Sequence, residues 1–295
     1  IEVKAVDVSD GTEDGSINLT AILNGTARSR LFSNSTETVF NEGSQDLDFR
    51  VESNGVTDAL KVDAGNDQVQ IGTGADLITA SAGTSNVRIG VNAGNSIQSG
   101  GNFNVVVGDE AGTAITTGDY NTAVGHSAGS SITTGGSNAF FGGLAGDAIT
   151  VGEDNTGLGL NTLGADTTGS GNVAIGTSAL ATQNMGGTTA TNSYNVAVGR
   201  SAGVNVTTGT QNNLIGGLAG DALTVGTKNN AFGYRALSDD TKGSKSVAIG
   251  NFTLATQNFT TATDSFNTAV GHGAGESVTT GVNNVLIGGL AGDAL

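Results

Sequence analysis

Residues 120–136 read YNTAVGHSAGSSITTGG, and the same pattern begins again with the next residue. Its central glycine, Gly125, belongs to a series at positions 90, 108, 125, 142, 159, 176, 199, 216, 233, 250, 271 and 288. Eight of the eleven steps are 17 residues and one is 18. Asparagine stands four residues before the glycine in every unit but one: Asn86, Asn104, Asn121, Asn138, Asn155, Asn172, Asn195, Asn212, Asn229, Asn267 and Asn284, with Ser246 as the exception. A fixed period of this length is the signature of a solenoid in which each repeat forms one turn. The prediction is an all-β chain: a parallel β-solenoid (β-roll or β-helix) of about 17 residues per turn.

Within the unit, the residue just before the glycine is apolar in all twelve copies, and mostly β-branched. The spacing predicts a strand with that residue facing the core. The position before it is usually apolar as well. Adjacent strand residues point to opposite faces, so a second apolar face must be covered by another chain or another layer. Four residues after the glycine stands either Gly or Leu. The eight units with Gly carry an aliphatic residue three positions later, such as Ile132. The four with Leu (Leu163, Leu180, Leu237, Leu254) carry Asp166, Gln183, Asp240 and Gln257 there. These are alternative fillings of one pocket at constant volume. The asparagines predict a stacked column that hydrogen-bonds along the axis.

Four turns make a longer unit. NTAVGHSAG at 121–129 returns as NVAVGRSAG at 195–203 and NTAVGHGAG at 267–275. The fourth turn carries an insertion, near residues 184–193 and again near 258–265. Insertions in solenoids form protruding loops. Asn184, Met185, Thr188, Thr189, Asn192, Asn258, Phe259, Thr260 and Asp264 are therefore the candidate receptor contacts. Three segments are expected: an N-terminal β-rich segment over residues 1–44, a β-strand connector over 45–84, and the twelve-turn solenoid over 85–295. Within the first two, residues 1–8, 16–23, 46–51, 59–62 and 68–71 read as short strands.

Composition narrows the function. With 49 glycines, no proline or tryptophan and only 4% aromatic residues, the core must be narrow and aliphatic. A formal charge of -16 argues against nucleic acid as a partner. No run of eighteen apolar residues is present, so no membrane-inserting helix is expected. Absence of cysteine excludes disulfides and thiolate metal sites. The acidic turns Asp10-Gly11, residues 63–67 and Glu153-Asp154 lack the spaced oxygen ligands of a calcium loop. His126 and His272 share one repeat position with Arg200 and read as exposed turn residues. Asp147, Asp221 and Asp293 also share a position, four turns apart, too far to hold one ion within a chain. No nucleophile has a base at a recognisable spacing. The reading is a non-enzyme with no catalytic residue, cofactor or metal. The lack of an initiator Met at Ile1 and the break in the repeat at Leu295 predict a piece of a longer chain.

NTAVGHSAG, GNVAIGTSAL and SYNVAVGRSAG resemble the repeats in the heads of trimeric autotransporter adhesins. ETVFNEG (37–43) with SQDLDFRVESNGVTDALKVDAGNDQVQIGTG (44–74) resembles tail-fibre-like phage structural proteins. The turn here is longer than the adhesin repeat. The resemblance implies a homotrimer with itself as partner, other virion or fibre proteins at the ends, and a host surface glycan or protein at the receptor contacts. The function it implies is the structural and adhesive shaft of a virion appendage, in a virion or extracellular setting. Alternatives are the head of a bacterial trimeric adhesin at the cell surface, and a self-stacking filament. A polysaccharide-degrading spike would need converging carboxylates, which the scattered acids do not supply.

Overall fold

A computed structural model describes the backbone of seven strands between residues 2 and 71 and then residues 81–293 without a break. The turns expected at Asp10-Gly11 and at residues 64–67 lie outside the described residues. The chain divides into two compact units, residues 1–77 and 78–295.

The first unit contains two antiparallel meanders. One joins Glu2–Ala5, Gly15–Leu23, Thr26–Ser33 and Thr38–Phe40 in sequence order. The other joins Phe49–Ser53, Val56–Asp63 and Gln68–Ile71.

The second unit is the parallel β-solenoid. Twelve three-residue strands, from Val87–Ile89 to Val285–Ile287, form one parallel sheet in chain order. The register is the repeat itself: Thr122, Ala123 and Val124 pair with Ala139, Phe140 and Phe141 one turn on. Each turn adds one strand spacing of about 4.8 Å.

The core is reached by a different residue from the one the sequence pattern pointed to. In the ten inner strands the middle residue is buried, as with Val106, Ala123, Phe140, Ala174 and Leu214, while Arg88 and Leu286 in the two end strands are half-buried. The residue just before the glycine, expected to face inward, faces out: Phe141 is 43% exposed and Leu158 50%. Alternation along a three-residue strand fixes this once the middle residue is inside. The inner position accepts even Gly157 because the core there is narrow and neighbouring turns fill it. A Cβ on Gly157 would lie 2.8 Å from the ring of Phe140, the one aromatic fully buried among the described residues. The core is completed by a buried column of alanines three residues after each glycine but the last, with Thr162 and Thr253 as substitutes, and by the Leu, Ile or Val of the shared pocket.

The recurrent glycine has φ between +115° and +146° in all twelve turns. A Cβ on Gly125 would lie 2.6 Å from the carbonyl of Gly142 in the next turn. Backbone meets backbone there, so no side chain can be admitted. The Gly-or-Leu position is left-handed whichever residue occupies it: Gly129 has φ +55°, and Leu163, Leu180, Leu237 and Leu254 have φ 52°, 51°, 57° and 48°. Left-handed backbone costs a leucine about 1–2 kcal/mol. Full burial of its side chain contributes about 1.5–3 kcal/mol. Burial therefore covers the strain, and the four leucines are all fully buried.

The asparagines form the expected column. Ten of the eleven are buried. Asn138 Oδ1 accepts the backbone N–H of Asn155 at 3.1 Å, and Asn155 Oδ1 accepts that of Asn172 at 3.1 Å. Asn155 Nδ2 donates to the carbonyl of Gly169 at 2.9 Å. Each amide thus satisfies backbone groups at a buried corner that have no strand partner. Asn155→Ala would leave the Asn172 N–H and the Gly169 carbonyl buried without these bonds, at a cost of about 2–4 kcal/mol. Urea unfolding should show that loss, and hydrogen exchange should speed up first at the Asn172 amide. A loss below about 0.5 kcal/mol would count against the column as a stabilising element. A threonine column, not expected from the sequence, runs beside it: Thr133 and Thr150 each donate Oγ1 to the carbonyl of the threonine one turn on, at 3.1 and 2.9 Å.

Candidate functional site: insertion loops and outer strand face

The two longer turns leave the solenoid and rejoin it by a short parallel pairing. Gly169–Ser170 pairs with Thr191–Asn192, and Gly243–Ser244 with Thr263–Asp264. The inserted residues ahead of the second anchor are largely exposed. Asn184, Thr188, Thr189 and Asn192 lie at the surface of the first loop, and Asn258, Thr260 and Asp264 at the surface of the second. Met185 is half-buried. Phe259 is only 6% exposed, which removes it from the candidate contacts. Its backbone explains why: the N–H donates to Asp240 Oδ1 at 3.3 Å, and its carbonyl accepts Thr241 Oγ1 at 3.0 Å. Asp264 accepts from Lys245 Nζ at 2.6 Å, and that ammonium also lies 4.9 Å from the centre of the Phe266 ring.

Beneath each loop lies a buried polar network that the sequence pattern did not reveal. Asp166 and Asp240, read only as the counterparts of a leucine, are fully buried. Asp240 Oδ1 accepts the N–H of Gly243 at 2.9 Å, and Oδ2 accepts Gln257 Nε2 at 2.6 Å. Gln257 Nε2 also reaches Ser246 Oγ at 2.9 Å, while its Oε1 accepts Asn267 Nδ2 at 2.8 Å. Ser246, the missing asparagine, is thereby bridged, and the column continues through Gln257 to Asn267. In the earlier copy Gln183 links Asp166 and Asn195 likewise, but its Nε2 reaches Ser193, which in turn donates to Asn172 Oδ1 of the column at 2.8 Å. The legible signal was the coincidence of an acid or amide with each leucine.

Asp147 and Asp221 occupy equivalent corners. Each has its Oδ1 buried with no hydrogen-bond partner. Burial raises both carboxyls above the ordinary aspartate range. Backbone N–H bonds oppose the rise in each, and for Asp221 Arg235 opposes it while Asp239 adds to it. A raised folded-state pKa means the native chain binds the proton first, so stability falls as pH rises through that window. Asp147→Asn should therefore stabilise the protein at pH 7, and the gain over wild type should vanish below the ordinary aspartate pKa. Paired urea titrations at pH 7 and pH 3 would check the sign. Asp293, the third equivalent, is exposed. Among the described residues no three His, Asp or Glu side chains are placed to hold a metal ion. His126 and His272 are both exposed, and His272 lies 5.9 Å from the Phe252 ring.

The outer face of the sheet is the other surface feature. The first and third residues of the strands point away from the core, and none is charged. The columns beside it are mixed: Phe103 stacked on Tyr120 at 5.0 Å, then Tyr194 and Phe266, share one border with Asp154, Lys228 and Lys245, and Leu144 and Leu290 share the other with Glu110 and Arg235. No protein-family model, curated protein or solved structure matches this chain. Among the described residues no helix is long and apolar enough to cross a membrane.

Proposed function

We propose that this chain is a shaft segment of a fibre, a homotrimer carried on a virion appendage such as a phage tail fibre, that holds or forms a host-attachment surface. The observation that carries the reading is the twelve-turn parallel ladder with its apolar outer face. Buried amides and carboxylates are spent on holding turns together, which suits a mechanical role. The two insertion loops, four turns apart, are the surfaces offered to a host glycan or protein, through Asn184, Thr188, Thr189, Asn192, Asn258, Thr260 and Asp264. Virion proteins would join the fibre at its ends. The repeat residues NTAVGHSAG favour a second reading, the head of a bacterial trimeric adhesin at the cell surface. A self-stacking filament is the third, since an open terminal turn presents unpaired strand groups.

Light scattering on a size-exclusion column separates these. Three times the 28.9 kDa chain mass supports the fibre or adhesin trimer. A monomer sinks it, and a broad heavy peak points to the filament. For attachment, the intact protein and a variant lacking residues 186–190 and 260–262 are compared for binding to fixed cells of a bacterial panel. At least a tenfold loss is expected on deletion. Full binding by the variant would rule the loops out as contacts.

A further inference from the structure

The outer strand face combines three properties. It is uncharged in a chain of net charge -16, and the third residue of every strand is apolar, with Ile249 41% exposed and Phe232 37%. It repeats at the strand spacing, about 4.8 Å, over twelve rungs. And its eighth and ninth strands, Asn213–Ile215 and Asn230–Phe232, begin with an amide where the flanking strands begin with Val196 and Val247. Asn213 Nδ2 donates to Asn230 Oδ1 at 2.8 Å.

We infer that this face is the contact between copies of the chain lying parallel and in register, and that Asn213 and Asn230 set the register. The inference rests on the self-association in the reading above, and names its surface and alignment. Several arguments select a second copy as the occupant. Two chains this acidic repel each other, and a face free of charge is where they can approach at least cost. Side chains recurring every rung interlock best with a surface of the same period, which another copy supplies. The three-residue strand face alone is roughly 50 Å long and about 10 Å wide. That gives roughly 500 Å² per copy, or roughly 1,000 Å² in a pair, the size at which a specific interface begins.

The amides decide the alignment. One Asn–Asn bond leaves further donors and acceptors on both side chains. In a parallel, in-register pair they meet the same two amides of the neighbour. A slip of one turn sets Asn230 or Asn213 against a valine, and a buried amide without its bond is costly. Antiparallel packing centred on the ladder places them against Ala139 and Thr156, which begin the fourth and fifth strands. A single polar position inside an apolar seam fixes register in coiled coils by the same logic.

The chain has no cysteine, so single thiols can report the alignment. Leu158→Cys and Ile215→Cys, on the fifth and eighth strands, are made separately and treated with a short bismaleimide. Parallel, in-register packing predicts that each variant cross-links to itself. When differently tagged versions are co-expressed, the mixed dimer should stay at least tenfold below either self-dimer. Predominant mixed dimers would mean antiparallel packing, and the absence of any cross-link together with a monomer mass would mean no self-contact. Both overturn the proposal. The Asn213→Val/Asn230→Val pair is then placed in co-expressed Leu158→Cys and Ile175→Cys chains, one turn apart. Slipped mixed dimers should rise at least tenfold over the same cysteine chains with both amides intact. No rise would overturn the register role. A chain that self-associates this way yet shows no cell binding would sink the attachment function and leave this proposal standing.

Discussion

Gly142→Val is expected to destabilise the solenoid more than any substitution of a buried side chain in the same turn. Gly142 has φ +138°, where a β-branched residue is strained by about 1–3 kcal/mol. A Cβ there would lie 2.4 Å from the carbonyl oxygen of Gly159 and 2.6 Å from its carbon. Both are backbone atoms, so no rotamer change relieves the contact and the two turns must part. Parting weakens the bonds that seat them, Gly142 N–H to the Val124 carbonyl and Gly159 N–H to the Phe141 carbonyl, each 2.8 Å. Strain, overlap and lost hydrogen bonds together should exceed about 4 kcal/mol, in the range reserved for the most damaging changes. Gly187→Ala is the control. It too has positive φ, at +89°, but nothing lies within 4 Å of the added carbon, so its cost should stay near 1 kcal/mol. Urea midpoints and protease resistance of the two variants would check this. Similar stabilities would show that the corner is not closed by backbone contact.

That glycine shows how the sequence could be read and where reading failed. Its period revealed the turn because a backbone clash admits only one residue, and so the position repeats without exception. The asparagine column was legible for the same reason: one side chain must both accept an N–H and donate to a carbonyl of the neighbouring turn. The facing of the strand was misread because Ile and Val before the glycine look like core. The residue truly inside varies from Gly157 to Phe140, its volume balanced by neighbouring turns, and that balance has no local signature. Phe259 was misplaced on similar grounds, since an aromatic in an insertion resembles a contact until its backbone is seen tied to Asp240 and Thr241. The Asp240–Gln257–Ser246 network joins residues that the repeat places at different corners of successive turns. Only the coiling of the chain brings them together.

The Gly-or-Leu exchange is a case where pattern and geometry agree, and it gives the second large effect. Ile132 is fully buried, and Ile132→Ala should cost about 2–5 kcal/mol through lost burial and the cavity left behind. Gly129→Leu alone should also destabilise, by about 2–4 kcal/mol, because its Cβ would sit 2.7 Å from Ile132 Cδ1 and the leucine must take the left-handed backbone. Combined, the two changes place a leucine where Leu163 and Leu180 stand and fill the pocket from the other corner, with Ala in place of the buried Asp166 and Gln183 of those turns. The double variant should therefore be more stable than either single one, within about 1–2 kcal/mol of wild type, giving an interaction energy of about 3 kcal/mol or more. Strictly additive losses would mean that the two corners do not share a pocket. The coupling would also explain how the super-repeat alternates between the two fillings without altering the hand-to-hand stacking of its turns: volume is conserved within each turn, so its neighbours meet the same core whichever corner supplies it.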